Sequence, residues 1–479
     1  MARTVPMTAW CPALGRADTS PPESGLLETE KTEVCKILTL NYRLQSCKTN
    51  KEKTMLTFEN GLEEFGRKST KETVEILFAG DFCPTTAESQ KFIQDGESGK
   101  MLSGIKDFLD DCDLSVIQFE TPLTDKGTPI PKSGPNLKSP PNCVDFLKKG
   151  RFDVALLANN HIGDVGTGPV METIDILRRN GIKTVGAGKD IETAEQPLVI
   201  RKNGIRIAIM NVAENEFGGA DVNKPGANPL NPTRNISQII ELSRRFDLVI
   251  VTVHGGNETN PFPTPRMVDT YRAFADAGAA AVISAHTHCP EGIEIWHGKP
   301  IIYSLGNFYF PYPGKKYTPG EFWWKGYMLM LKFDKRKAYS LKIIPTSFGP
   351  DESRIVPFTG KSRDKFFSYL SEISEKIKDR REIKCIFDAC SAQRAYARIG
   401  ALKKYLSDWP ADNDPEKIKA LLDDPAKFRQ LLVLKNLLNC ETHHEMLANL
   451  FRLLEDGKLE SSEGQIQKYV EYRNADLGF

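Results

Sequence analysis

Seven short apolar runs recur between Val74 and Phe308, each closed by small or polar residues: "VEILFAGD", "LSVIQFET", "DVALLANNH", "IRIAIMNVAEN", "DLVIVTVHGG", "AAVISAHTH" and "PIIYSLGNF". Runs this short, with Val and Ile prominent, predict buried strands rather than helices. Helix-like stretches separate several of them. "GPVMETIDILRRNG" sets Val170, Ile174 and Leu177 on one face, and Asn180-Gly181 ends it. "NISQIIELSRRF" and "RMVDTYRAFADAG" have the same texture. Strands alternating with helices predict a layered α/β domain over residues 73–350. "YMLMLKFDKRKAYSLKIIPTSF" reads as its closing hairpin, with "DKRK" at the turn.

The flanks differ. Residues 1–72 are polar, include "TSPPESG", and predict a mostly disordered extension with a short helix around "TFENGLEEFG". Met55 is an alternative start. Residues 360–479 turn charged and helical, as in "DKFFSYLSEISEKIKD" and "KFRQLLVLKNLL", and predict a helical C-terminal region. Lys+Arg (64) and Asp+Glu (63) nearly cancel, which argues against a nucleic-acid binder or a polybasic membrane protein. The ten cysteines form no C-x-x-C pair, which fits reduced thiols better than a disulfide framework. No signal-peptide core and no run of about 18 apolar residues is evident. The expectation is a cytoplasmic protein without a membrane segment.

The polar residues have a common position. Asp81 follows the first run, Glu120 the second and Asn160-His161 the third; His254 follows "DLVIVTV", and His286 and His288 follow "AAVIS". In open α/β sheets the carboxyl ends of strands converge on one rim, where ligands bind. Asp, Glu, Asn and His together suit Mn, Fe or Zn and do not suit a thiolate cluster. "HTH" read as the end of a strand places both imidazoles on one side, because strand side chains alternate. Two metals in a hydrolytic centre sit roughly 3.5–4 Å apart, so neighbouring ligands can feed neighbouring metals. Each residue also has a plain alternative: Asp81 as a turn residue, Asn159-Asn160 as a helix cap, a lone histidine as a hydrogen-bonded loop residue. Taken together, a metal centre accounts better for where five of the seven histidines lie.

With these residues assembled, the chain resembles the CapA family of capsule and poly-γ-glutamate synthesis proteins, a branch of the calcineurin-like metallophosphoesterases. The resemblance runs from about Glu75 to Pro345 through "FAGD", "FETPLT", "SPPNCVDFLKKGRFDVALLANNHIGDVG", "GIKTVGAG", "VHGGNE", "AGAAAVISAHTH" and "GKPIIYSLGNFYF". It implies an α/β/β/α sandwich and two divalent metal ions (Mn, Fe or Zn). Asp81 and His288 would hold one ion, Glu120 would bridge, and Asn160, His254 and His286 would hold the other. His161 would act beside the metals as the catalytic proton donor, oriented by Asp164. Ser304 and Asn307 either line the site or form a tight turn.

Departures from the family pattern stand at Cys83, where Asp-x-His is common in the wider superfamily, at Ala285 before His286, and at Gly255 after His254. Cys83 is either a thiolate ligand or, the better reading, a small buried thiol. Gly255, where the family tends to carry Trp, widens the pocket or removes a stacking surface. Cys289 could approach the metals, while His297, in "WHGKP", reads as an ordinary loop residue.

The resulting expectation is a metal-dependent hydrolase acting on a phosphoester or amide, with a small-molecule or polymer substrate. The alternatives are an enzyme of capsule or poly-γ-glutamate synthesis or transfer, and a non-catalytic metal-binding scaffold.

Overall fold

Alternation along the strand Thr73–Phe82 explains the layering. Successive side chains of a strand point to opposite faces. Val74, Ile76 and Phe78 enter one hydrophobic core, and Leu77 and Ala79 enter another. A computed structural model of the chain, which describes residues 56, 58, 61–318, 321–349, 353–459 and 467–471, shows what fills each. The prediction of a mostly disordered extension over residues 1–72 falls largely outside the described residues.

Among those residues two large sheets face each other. In the first, neighbours run Leu62–Glu64, Ala338–Ser347, Lys325–Asp334, Thr73–Phe82, Leu114–Phe119, Val154–Leu156 and Lys183–Val185. The second runs Ile293–Trp296, Lys299–Ile302, Ala281–Ala285, Leu248–His254, Ile205–Ala213 and Leu198–Lys202. The central strands of both sheets are parallel. The inner core joins Val74, Ile76, Phe78 and Val116 to Ile207, Ile209 and Val251 across the sheets. Outside the first sheet, Val170, Ile174 and Leu177 of the helix Thr167–Arg179 cover Leu77, Ile117 and Ala155. Outside the second, the helices Pro232–Arg245 and Pro265–Ala277 contribute Ile239, Leu242, Met267, Tyr271 and Phe274. The order is α/β/β/α, as the family resemblance implies. The closing hairpin also forms, with Asp334 Oδ1 accepting from Arg336 N (2.8 Å) and Lys337 N (3.0 Å) at its turn.

One local expectation is corrected. "TFENGLEEFG" contains no described helix; Leu62–Glu64 is an edge strand paired antiparallel with Lys342–Ser340. Glu63 faces away from its neighbours in a period-two pattern, which a short polar segment does not reveal.

The C-terminal helices pack on the sandwich. Phe366, Leu370, Ile373 and Ile377 of Gly360–Ile377 join the inner core, and Ser374 Oγ accepts from Ile293 N at 2.9 Å.

Two features aim Asp81. The register shifts between Ala79 and Asp81, a bulge that redirects the strand end. A Cβ on Gly80 would lie 2.0 Å from the carbonyl oxygen of Gly306, so only glycine permits this approach. Below it, the Phe82 ring stacks on Phe146 at 4.4 Å. Burying such a ring contributes about 1.5–3 kcal/mol, which holds the strand end rigidly under the rim.

Candidate metal centre

The strand ends deliver their polar residues to one buried spot. Glu120 closes Leu114–Phe119, and its backbone N–H donates to Phe82 O at 3.0 Å. His254 ends its own strand. Asn160 and His161 sit in the loop after Val154–Leu156. That loop is clasped by Asn159, whose Oδ1 accepts from His161 N (3.1 Å) and Ile162 N (2.8 Å), and whose Nδ2 donates to Phe119 O (2.8 Å). The reading of Asn159-Asn160 as a helix cap does not hold, since the following helix starts at Thr167 with Gly166 as its cap.

His286 and His288 reach the spot by a different route from strand alternation. The strand stops at Ala285, and the two histidines adopt positive φ values of 103° and 55°. Such backbone costs of order 1–3 kcal/mol per residue and persists where its surroundings enforce it. Here His286 N donates to Asp81 Oδ2 (3.0 Å), Thr259 N to Thr287 O (2.7 Å), and Thr287 Oγ1 to Ser304 Oγ (2.8 Å). Ser304 therefore supports this turn. Asn307 faces the centre, with Oδ1 2.9 Å from His288 Nδ1 and Nδ2 donating to Trp323 O at 2.8 Å.

Two groups of donor atoms result. Glu120, His254 and His286 each place one within 4.8 Å of the others, and so do Asp81, Glu120 and His288. Glu120 belongs to both. Asn160 Oδ1 lies 3.1 Å from His254 Nε2, which is itself 3.1 Å from His286 Nδ1 and 3.3 Å from Glu120 Oε1. The six residues named from the sequence as ligands are thus brought together.

The electrostatics of the protein alone are unbalanced. Glu120 is fully buried, and neither carboxylate oxygen has a hydrogen-bond partner; nor do Asp81 Oδ1 and His254 Nδ1. Buried polar atoms are rarely left so. Burial first, and the Asp81 charge second, push the Glu120 carboxyl well above its usual range. Burial likewise drives His254 far below the usual imidazole value, reinforced by His286 and His288. A cation among these atoms would favour the charged Glu120 carboxylate and take the neutral His254 imidazole as a ligand, so the donor set fits divalent metal.

Outside the donors lie residues that hold them. His161 Nδ1 is 2.6 Å from Asp164 Oδ2, which directs Nε2 toward Glu120 Oε1, 3.9 Å away. Asp164 also accepts from Leu137 N (2.7 Å) and pairs with the buried Lys132, whose Nζ lies 3.3 Å from His161 Nδ1. Burial and then Lys132 lower the His161 pKa. Glu216 Oε1 lies 3.2 Å from His286 Nε2. Burial opposes charging of His286, but the Glu216 hydrogen bond and charge outweigh it and carry the pKa up to about 9. Sequence reasoning missed Lys132 and Glu216. Glu216 could have been found, because "NVAENE" ends a strand as the other donors do; Lys132 lies in an irregular loop with no such signal.

The departures resolve as follows. Cys83 belongs to the outer core, and burial raises its thiol well above the usual range. Cys289 donates from Sγ to Asn260 O at 2.8 Å, and neither donor group includes it. Gly255 opens no space: a Cβ there would lie 2.5 Å from Glu214 Cγ, so Glu214 occupies the room. His297 is exposed and pairs with Asp276 at 2.9 Å.

Residues 75–312 match the family described as "Bacterial capsule synthesis protein PGA_cap". That segment belongs to the PGA_cap family. The chain is 34% identical over 196 residues to the "PGA biosynthesis protein CapA" of Bacillus subtilis, covering 40% of this chain and 52% of that one. It is 31% identical over 181 residues to the "Capsule biosynthesis protein CapA" of Bacillus anthracis, covering 36% and 44%. The chain thus spans about half the length of these curated relatives. A solved 5'-nucleotidase precursor from Thermus thermophilus is similar at a TM-score of 0.34 and 14% identity, over 57% of this chain and 54% of that one. The PGA_cap segment contains all six candidate ligands, His161 and Asp164. No helix among the described residues is long and apolar enough to cross a membrane.

Proposed function

We propose that the chain is a metal-dependent hydrolase with two divalent ions, Mn, Fe or Zn, in its PGA_cap segment. The observation that carries this is Glu120, a fully buried carboxylate shared between two donor groups, neither oxygen of which has a hydrogen-bond partner. Asp81 and His288 would hold one ion; Asn160, His254 and His286 would hold the other; Glu120 would touch both. When bound, such a pair lowers the pKa of water and offsets charge developing in the transition state.

The protein supplies the rest. Asp164 fixes the Nδ1 side of His161, so Nε2 faces the centre and can hand a proton to the leaving group. Lys132 compensates Asp164, which keeps that carboxylate in place. Burial excludes bulk water from the donors, which strengthens every charge interaction there. A cavity of about 440 Å³, walled by Gly163, Phe217 and Lys224 and by Leu432 and Lys435 of a C-terminal helix, reaches Glu216, the partner of His286.

Phosphoester and amide substrates both suit this arrangement. The names of the relatives favour a capsule or glutamyl-polymer amide as the amide case, cleaved or transferred. The test is turnover of bis-p-nitrophenyl phosphate and of a γ-glutamyl oligomer by manganese-loaded protein. Turnover of at least one substrate, lost on chelation, is the expected result. Protein that holds two manganese ions and cleaves neither would favour the scaffold reading.

A further inference from the structure

The C-terminal helices lie beyond the family match, yet they grip the loops that shape the centre. The clearest grip is on Glu214–Glu216, just after the strand Ile205–Ala213. Glu214 N donates to the carbonyl of His254 at 3.0 Å, so this turn is already attached to a candidate ligand. The Glu214 side chain runs through the space Gly255 leaves and meets the start of the helix Glu441–Glu455. Thr442 N donates to Glu214 Oε2 at 3.1 Å, and Thr442 Oγ1 donates to Oε1 at 2.9 Å. Arg266 pairs with the same carboxylate and donates to Thr442 Oγ1 at 3.0 Å. Next along, Asn215 N donates to Glu441 Oε2 at 2.8 Å.

Glu216 follows directly, and its carboxylate is the partner of His286 Nε2. A carboxylate on the outer nitrogen of a ligating histidine fixes ring orientation and tautomer; removing it typically weakens metal binding roughly 10–100-fold. A second grip acts on the loop after His254, where Arg394 donates to Asn257 Oδ1 (2.6 Å) and Glu258 O (3.2 Å).

We infer that the C-terminal helical region is a brace for one half of the metal centre: Thr442 and Glu441 hold Glu214 and Asn215 so that Glu216 fixes His286. Thr442 is a positioning residue, acting through Glu214 and Glu216. The inference rests on the two-metal reading above. The brace formed by Thr442 and Glu441 reaches only the Glu120–His254–His286 group; Asp81 and His288 are held by Asn307 and the sheet instead. Loosening it therefore weakens one ion and spares the other.

The experiment is manganese titration of the full chain, with electron paramagnetic resonance to read the exchange-coupled pair. Thr442→Val is expected to keep one site at wild-type affinity and weaken the other roughly 10–100-fold, so that the coupled signal gives way to an isolated ion. Thr442→Ser, which keeps the hydroxyl, is expected to restore the pair. Should Thr442→Val fail to fold by circular dichroism, Glu441→Gln loosens Asn215 from the same helix and is read in the same way. Two unaltered sites in the folded variant, or equal weakening of both, would overturn the brace alone. A wild-type chain that takes no second manganese would overturn the two-metal reading, and the brace with it.

Discussion

Glu120→Gln is expected to raise the melting temperature of metal-free protein and to remove most of the stabilisation that manganese confers. Without metal, the wild-type carboxylate is buried beside Asp81 with neither oxygen hydrogen-bonded. Such a carboxyl must either keep an uncompensated charge or take up a proton that the unfolded chain does not hold at neutral pH; either costs several kcal/mol, and a neutral amide of the same shape relieves much of that. With metal, the same carboxylate becomes the shared ligand. A ligand present at 100 times its dissociation constant stabilises the folded state by about 2.7 kcal/mol, and a glutamine at the shared position forfeits most of it. One substitution thus moves stability in opposite directions, depending on metal. Thermal melts of both proteins with chelator and with manganese read this directly. Destabilisation of the metal-free variant would mean that Glu120 has a structural partner, contrary to its geometry.

His161→Ala is expected to lower kcat by roughly 10²–10⁴-fold, the usual contribution of a positioned proton donor, with both metals retained. The separation follows from geometry: Nε2 stands 3.9 Å from the nearest Glu120 oxygen, and the imidazole is held from behind by Asp164. None of the donor groups includes it. Kinetics on whichever substrate turns over, with metal analysis of the same preparation, check both halves. Loss of a metal in this variant would make His161 a ligand and leave the proton donor unassigned.

The architecture and the meeting of the candidate ligands at one spot were legible because both follow from local pattern. Short apolar runs rich in Val and Ile name the strands, and the rule that sites gather at strand ends names Asp81, Glu120, Asn160, His161, His254, His286 and His288. What lay beyond reading was whatever depends on distant approach or unusual backbone. "HTH" looks like a strand end, but the positive φ of both histidines comes from Asp81, Thr259 and Ser304 pressing on the turn. Gly255 looks like lost bulk until Glu214 is seen in its place. Thr442 lies 228 positions from Glu214 and belongs to an ordinary amphipathic helix, so nothing in its neighbours marks it. Lys132, 32 positions from Asp164, is hidden in the same way.

The central claim is that these side chains hold two metal ions per chain. Calorimetric titration of chelator-stripped, full-length protein with manganese, confirmed by elemental analysis of the product, tests it most directly. Two ions per chain is the predicted result. A plateau at one ion, or no binding at all, would contradict it.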